Sequence, residues 1–247
     1  MKIITTVLFL FIGMGAIGQD AKEIIRKAEE KMRGKESAYM EMTIDVIRPK
    51  WTRSMALKSW SRGNDYSLMV LTEPAKDAGT AFLKREKEVW NWMPSIERSI
   101  KMPPSMMMQS WMGTDLSNDD LVRESSNVTD YTHELDGDST IDGKLCWKIV
   151  LTPKPDAPVV WGKVVAFVDQ ENYVQLKAEQ YDEDGYLVNE MIGTDVREMD
   201  GVIMATKLEL IPVEKTGQKT VMKINDIKFN EIYGDAFFTV QNMKKMR

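Results

Sequence analysis

The feature that most limits the possible folds is a repeated alternation of apolar and polar side chains. Residues 38–47 read AYMEMTIDVI, with the two-residue period of a half-buried strand. Similar runs follow at roughly 51–62, 65–73, 79–85, 88–94, 97–102, 130–137, 144–152, 160–169, 173–181, 186–199, 202–212 and 219–230. Turn signals such as the Asp-Gly pairs at 142–143, 184–185 and 200–201 separate many of them. The pattern predicts an antiparallel meander that curls into a barrel or half-barrel.

A pattern with helical period precedes the first strand. Asp20 and Glu23 have the spacing of a capping box, and Gly34 suits the end of a helix. Between them runs one apolar stripe, formed by Ala21, Ile24, Ile25, Ala28 and Met32. We therefore predict an amphipathic helix that lies on the sheet.

The first 18 residues have the pattern of a secretory signal peptide. Lys2 precedes the apolar run IITTVLFLFIGM, and small residues at Ala16 and Gly18 offer a cleavage site before Gln19. We expect residues 1–18 to be removed and residues 19–247 to form a single domain. The only cysteine, Cys146, allows no intramolecular disulfide, and we expect a monomer in the periplasm of a Gram-negative bacterium.

The strand pattern breaks at 103–127, where methionines are concentrated. Pro103 and Pro104 can start a helix, and Met108, Trp111 and Met112 follow at spacings of three and four residues. We predict a short helix that ends at Gly113 and a second helix with Ser117 as its N-cap.

The methionine stripe has two interpretations. A stripe at helical spacing is usually ordinary core, and this has at least half the weight. Alternatively, thioether side chains are unbranched and polarizable, which suits a surface that must fit variable apolar partners. The abundance of methionine, 19 residues in the chain, extends to many strand positions and keeps the second interpretation open.

The sequence offers little for catalysis. The chain has one histidine, His133, inside a predicted strand, and Cys146 lies in the apolar context of a buried residue. The motifs of hydrolases, metalloproteases and nucleotide-binding proteins are missing from the sequence. The formal net charge of −5 argues against nucleic acid as a partner. We predict no catalytic residue, no metal site and no cofactor, and so a protein that is not an enzyme.

Three segments carry a resemblance to a known family. They are EVWNWMPSIER at 88–98, GTDL at 113–116 after the methionine-rich stretch, and GDAFFT at 234–239. Together with the order of elements, they make the chain similar to the periplasmic outer-membrane lipoprotein-sorting proteins of the LolA/LolB-like superfamily. The resemblance extends over essentially all of residues 19–247.

The resemblance implies a mainly β fold with helices, of the α+β class. It implies an unclosed antiparallel β-barrel of about 11 strands around a hydrophobic cavity, with an N-terminal helix and a helical lid. In such carriers an arginine near the end of an early strand holds the lid shut. Arg62 is the best matching position, although Gly63 follows it where the carriers have proline. An exposed arginine at a hairpin turn is the equally weighted alternative.

The function that follows is a periplasmic carrier that binds acyl chains of lipoproteins or lipids and transfers them toward the outer membrane. An inner-membrane transporter and an outer-membrane acceptor are its expected partners. An open alternative is a lipid-responsive sensor or accessory subunit of an inner-membrane transporter. The candidate lining residues are Met40, Met42, Ile44, Trp90, Trp92, Met107, Met108, Trp111 and Met112.

Overall fold

The computed structural model describes residues 20–34, 36–120, 126–157 and 159–246, and the predicted signal peptide lies outside these ranges. One antiparallel sheet of thirteen strands makes up most of the described chain. The strands are β1 (Ser37–Arg48), β2 (Trp51–Arg62), β3 (Tyr66–Glu73), β4 (Ala81–Arg85), β5 (Glu88–Met93), β6 (Arg98–Lys101), β7 (Tyr131–Ile141), β8 (Lys144–Pro153), β9 (Lys163–Asp169), β10 (Gln175–Tyr181), β11 (Leu187–Met199), β12 (Val202–Pro212) and β13 (Lys219–Phe229).

The strand order is β6-β5-β4-β3-β2-β1-β13-β12-β11-β10-β9-β8-β7. Two meanders are therefore joined where the first strand pairs with the last, from Ala38 opposite Phe229 to Ile47 opposite Lys219. The edges β6 and β7 are not paired with each other, so the barrel is unclosed. This confirms the predicted fold class, with thirteen strands where the resemblance implied about eleven.

Strands β1 to β5 share one apolar face, as the alternation predicts, and β3 is apolar on both faces. One face, here called the inner face, carries the largest apolar cluster, which includes Ile44 of β1, Leu57 of β2 and Leu71 of β3. The opposite parity points to the outer face, where Leu68 and Val70 of β3 belong to a separate cluster. Both faces of the sheet are therefore buried at β3 and β4, whereas the opposite face of β1 carries polar residues.

The N-terminal helix α1 (Ala21–Arg33) matches the predicted element. The Asp20 side chain accepts a hydrogen bond from the Lys22 amide at 3.0 Å, whereas Glu23 pairs with Arg26 instead of completing a capping box. Gly34 ends the helix at a φ of 70°. Ile24 and Ile25 are buried in a cluster with apolar side chains of β7 to β10.

The C-terminal strap, residues 233–246, covers the outer face of β3 to β5. It contains the short helix α2 (Val240–Met243), and its buried Phe238 and Met243 pack against Leu68 and Leu83. Among the described residues, no helix is both long enough and apolar enough to cross a membrane.

We predict that Ile24→Ala lowers the free energy of unfolding by about 2–5 kcal/mol, because it removes a fully buried side chain that holds α1 on the sheet. Urea denaturation followed by circular dichroism measures the change. Lys22→Ala, at an exposed position of the same helix, is the control and should change stability by less than about 0.5 kcal/mol. Equal effects of the two variants would contradict the packing role of α1.

Candidate functional site

A segment between β6 and β7 lies across the inner face and is the centre of the candidate site. We call residues 102–120 the cover segment. At the start of the segment, the Met102 amide still donates a backbone hydrogen bond to the Val89 carbonyl of β5, at 2.8 Å. Pro103 and Pro104, which lack an amide proton, then lead the chain away from the sheet.

Three side chains of the cover segment are buried in the inner-face cluster: Met102, Met107 and Trp111. Trp111 is fully buried, and its ring centroid lies 5.7 Å from that of Phe82 on β4. Methionines of the sheet, including Met42, Met55 and Met69, surround it in the same cluster. The segment therefore contributes thioethers and one indole to this contact, and the sheet contributes methionines together with branched side chains such as Ile44 and Leu57.

The backbone of the cover segment doubles back on itself. The Trp111 amide donates to the Leu116 carbonyl at 2.8 Å, and the Asn118 amide donates to the Gln109 carbonyl at 2.9 Å. The predicted helix over 104–113 is therefore wrong, and two 3₁₀ turns, Pro104–Met106 and Trp111–Gly113, take its place. The helical ladder is broken because Met112 adopts a φ of 47° and the amides pair across the loop.

The predicted N-cap of the second helix is present. Helical conformation begins at residue 118, the Ser117 hydroxyl accepts from the Asp120 amide at 3.1 Å, and the Asp120 carboxylate accepts from the Ser117 amide at 2.8 Å. The continuation of this helix at 121–125 lies outside the described residues. Asp120 also accepts a 3.2 Å hydrogen bond from the Trp161 indole, which ties this end to the second meander.

An ion pair fastens the cover segment to the sheet. The guanidinium of Arg48, at the end of β1, donates to both carboxylate oxygens of Asp115 at 2.9 and 3.0 Å. The Thr220 hydroxyl of β13 donates to the same carboxylate at 2.8 Å and accepts from the Asp115 amide at 2.9 Å. The two side chains are only 13% and 4% exposed, so water screens this bidentate pair weakly.

A second arginine holds the turn of the segment. Arg53 on β2 donates through Nη2 to the Met112 carbonyl. Among the described residues, neither Nε of Arg53 nor the buried indole nitrogen of Trp111 has a hydrogen-bond partner. A buried donor without a partner costs about 1–3 kcal/mol, so the closed segment does not satisfy all of its polar groups.

The structure brings together most of the predicted lining residues. Met42, Ile44, Met107 and Trp111 are buried in the inner-face cluster, with Met40 and Met112 packed against it. Met108 is 67% exposed and borders a surface cleft instead.

Trp90 and Trp92 do not join this group. They alternate with Val89 along β5, and therefore point to the outer face, where they pack against the cluster of the C-terminal strap.

Arg62 contacts the C-terminal strap and not the cover segment. Its guanidinium donates to the Tyr233 carbonyl at 2.9 Å and pairs with Asp235 at 2.6 Å. The arginines that contact the cover segment, Arg48 and Arg53, were missed in the sequence because nothing local marks them. Both lie more than fifty residues from their partners along the chain.

The interior beneath the cover segment differs from the expected hollow. Met102, Met107 and Trp111 occupy the space above the inner-face side chains and belong to the same packed cluster. The segment therefore fills the interior at this position, and a ligand could enter it only if the segment moved away.

An open cleft of about 560 Å³, here called the lateral cleft, lies beside the cover segment. Residues of the cover segment, including Met108, Asp115 and Ser117, form one wall. The ends of β11 and β12 and the turn at 213–218 contribute to the other sides. A smaller cleft of about 370 Å³ lies at the start of the segment, next to Lys101 and Pro103.

Two titratable groups near α1 and the second meander are shifted by burial. The pKa of His133 is lowered because burial disfavours its charged form, and its Nε2 lies 2.6 Å from the Asn127 carbonyl oxygen. Burial and the nearby carboxylates of Asp119, Asp120 and Asp130 raise the pKa of Tyr131, so its hydroxyl stays neutral. Among the described residues, no group of three or more His, Cys, Asp and Glu side chains could hold a metal ion.

We predict that Asp115→Asn loosens the cover segment, because it replaces a charged, bidentate pair with a neutral contact. A reporter thiol placed by Met107→Cys, at a buried position, should react with a maleimide on the order of tenfold faster in the Asp115→Asn background. Cys146 is fully buried, so the parent chain provides the labelling background.

Arg62→Gln is the matched control, since Arg62 binds the C-terminal strap. It should leave the labelling rate of the Met107→Cys reporter unchanged. If Arg62→Gln accelerates labelling and Asp115→Asn does not, Arg62 and not Arg48 holds the cover segment in place.

The fold is similar to those of several solved structures. A family model described as "Uncharacterized protein" matches residues 63–245, and no curated protein matches the chain in sequence. A DUF1329 family protein from Desulfovibrio piger has a TM-score of 0.80 at 23% identity, covering 91% of this chain and 100% of that one.

Two further crystal structures have a TM-score of 0.78. A LolA superfamily protein from Nitrosomonas europaea is 25% identical, covering 90% of this chain and 99% of its own. A Vibrio parahaemolyticus protein described as an outer membrane lipoprotein-sorting protein domain is 20% identical, covering 91% and 98%. The chain therefore belongs to the family whose model matches residues 63–245, and its fold is that of the LolA superfamily.

Proposed function

We propose that this protein is a periplasmic carrier that binds acyl chains of lipids or lipoproteins between the inner face and the cover segment. It receives them from an inner-membrane transporter and passes them to an outer-membrane acceptor, and it acts as a monomer after removal of residues 1–18. The similarity in fold to the Vibrio lipoprotein-sorting protein domain supports a role in binding acylated molecules.

The observation that carries the proposal is the separability of the cover segment. Its backbone hydrogen bonds run largely within the segment, as between Trp111 and Leu116, so they survive if it lifts as one body. Lifting breaks the apolar contacts of the segment with the inner-face cluster. The polar contacts that it breaks are those with Arg48, Arg53, Thr220 and Trp161. A movable cover over an apolar face is what a carrier of water-insoluble chains needs.

The energetics favour exchange between the cover segment and an acyl chain. Each CH₂ group withdrawn from water contributes about 0.8 kcal/mol, so one long chain gains on the order of 10 kcal/mol on burial. Lifting the segment exposes Met107 and Trp111, and a bound chain covers the vacated inner face again. The net affinity is the free energy gained by burying the acyl chain minus the cost of exposing the segment. Because this difference is smaller than the full burial energy, the chain can pass on to a membrane.

The methionines support a passenger of variable shape. Met40, Met42, Met55 and Met69 lie on or against the inner face, among branched side chains that hold a more fixed surface. Unbranched thioethers change rotamer at low cost and follow the outline of different chains.

We predict that Trp111→Ala binds a fluorescent fatty acid more tightly than the parent, by about tenfold or more. The variant removes the side chain that competes with the ligand for the inner face, so a larger fraction of molecules is competent to bind. Displacement titration measures the affinity. Met108→Ala is the control, because Met108 is exposed on the same segment, and should leave binding unchanged.

If Trp111→Ala only lowers stability and gains no affinity, the cover segment is ordinary core and the carrier proposal fails.

Native mass spectrometry of protein isolated from the periplasm provides the direct test. Bound heterogeneous lipid, together with transfer to liposomes, is the expected result. Binding of a membrane partner without lipid transfer would instead favour the sensor or accessory-subunit function.

A further inference from the structure

The lateral cleft has the composition of a site for an amphipathic ligand. Its volume of about 560 Å³ is within the range of small-molecule sites. Apolar side chains of Leu116, Val160 and Leu187 line it together with charged groups of both signs. One wall belongs to the cover segment, so an occupant of the cleft contacts the part of the molecule proposed to move.

Two positively charged side chains line the cleft. Arg48 and Lys215 both line it, and Arg48 also donates to the Lys219 carbonyl at 3.3 Å, which brings the guanidinium next to the turn that carries Lys215. Lys215 is exposed. The planar fork of Arg48 is occupied by Asp115 and by backbone carbonyls, and its geometry fits phosphate as well as carboxylate, so a phosphate would replace Asp115 there.

A carboxylate and two aromatic rings lie close together in the lining of the cleft. Asp182 accepts a hydrogen bond from the Tyr186 amide at 2.8 Å, and Gly162, next to Trp161, donates to the Tyr181 carbonyl at 2.9 Å. These contacts bring Asp182, Tyr186 and Trp161 close in the fold, and all three line the cleft. A carboxylate beside aromatic rings favours an ammonium group.

We propose that the lateral cleft binds the zwitterionic head group of an amine-bearing phospholipid, with its phosphate at Arg48 and Lys215 and its ammonium at Asp182, Tyr186 and Trp161. This assignment rests on the proposed carrier function and specifies the passenger class. Glu214, which also lines the cleft, lies beside Lys215 in the chain and disfavours a purely anionic head group such as glycerol phosphate.

The same site couples head-group binding to the cover segment. Arg48 already holds the Asp115 carboxylate, and both residues line the cleft. A phosphate that takes the guanidinium displaces the Asp115 carboxylate and so removes one of the attachments of the segment. Because such coupling is reciprocal, a variant that lacks the Asp115 charge binds the head group more tightly.

The test uses isothermal titration calorimetry of the full mature chain with dihexanoyl phosphatidylethanolamine below its micelle concentration. We expect Lys215→Gln and Asp182→Asn to weaken binding by about tenfold each, as for the loss of one charged contact. Asp115→Asn should tighten binding. Lys245→Gln, at an exposed position on the C-terminal strap, is the matched control and should bind like the parent.

Two further ligands separate the possible sources of this chemistry. Dihexanoyl phosphatidylglycerol lacks the amine, and we expect it to bind more weakly than the ethanolamine lipid and to be insensitive to Asp182→Asn. Phosphoethanolamine alone should bind weakly. If it binds as tightly as the lipid, the cleft recognises a free phosphate ester and the phospholipid assignment is overturned.

The head-group site is overturned if Lys215→Gln and Asp182→Asn both bind the lipid like the parent. It is also overturned if Lys245→Gln loses as much affinity as these two variants. A fluorescent fatty acid titrated into the same variants distinguishes this failure from failure of the carrier function. Fatty-acid binding that persists without head-group binding overturns the cleft alone, whereas loss of both kinds of binding in the parent overturns the carrier as well.

Discussion

The pairing of β1 with β13 is the contact on which the rest of the architecture depends. It joins the ends of the meander, from Ala38 opposite Phe229 to Ile47 opposite Lys219, and so brings two arms of strands into one sheet. The same pairing places Thr220 of β13 beside Arg48 of β1, the two residues that hold Asp115. The point where the arms meet is therefore also the point where the cover segment is fastened. A sheet that joined its ends elsewhere would leave the carboxylate of Asp115 without this pair of donors.

Much of the fold could be predicted from local patterns, because strand period, caps and turns depend on neighbouring residues. The alternation at 38–47 and the cap at Asp20 are examples. The cover segment shows the limit: its helical spacing of Met108, Trp111 and Met112 is compatible with a helix, but amides that pair across the loop decide its conformation. The sequence likewise cannot tell which face of β5 is covered by the strap, so the orientation of Trp90 and Trp92 required the structure. Arg48 and Asp115 meet through long-range topology alone.

The methionine-rich stretch has features of both interpretations, ordinary core and flexible binding surface. Met107 and Trp111 are packed as core residues in the closed structure. The indole nitrogen of Trp111 nevertheless lacks a hydrogen-bond partner among the described residues. The segment is packed like a core but leaves a polar group without a hydrogen bond. Such a segment suits a cover that closes when the protein is empty and that a ligand of similar apolar area can displace. In the proposed mechanism the protein protects its own inner face with the same side chains that it withdraws for a passenger.

The two prolines that follow Met102 have a mechanical consequence. Their rings fix the backbone direction as the chain leaves β6, and neither residue can donate a hydrogen bond to the sheet. The attachment at this end is stiff in shape but weak in bonding, whereas the Asp115 end is held by charge. Rotation about the proline junction would thus move the segment away from the inner face only after the contacts of Asp115 with Arg48 and of Asp120 with Trp161 are broken.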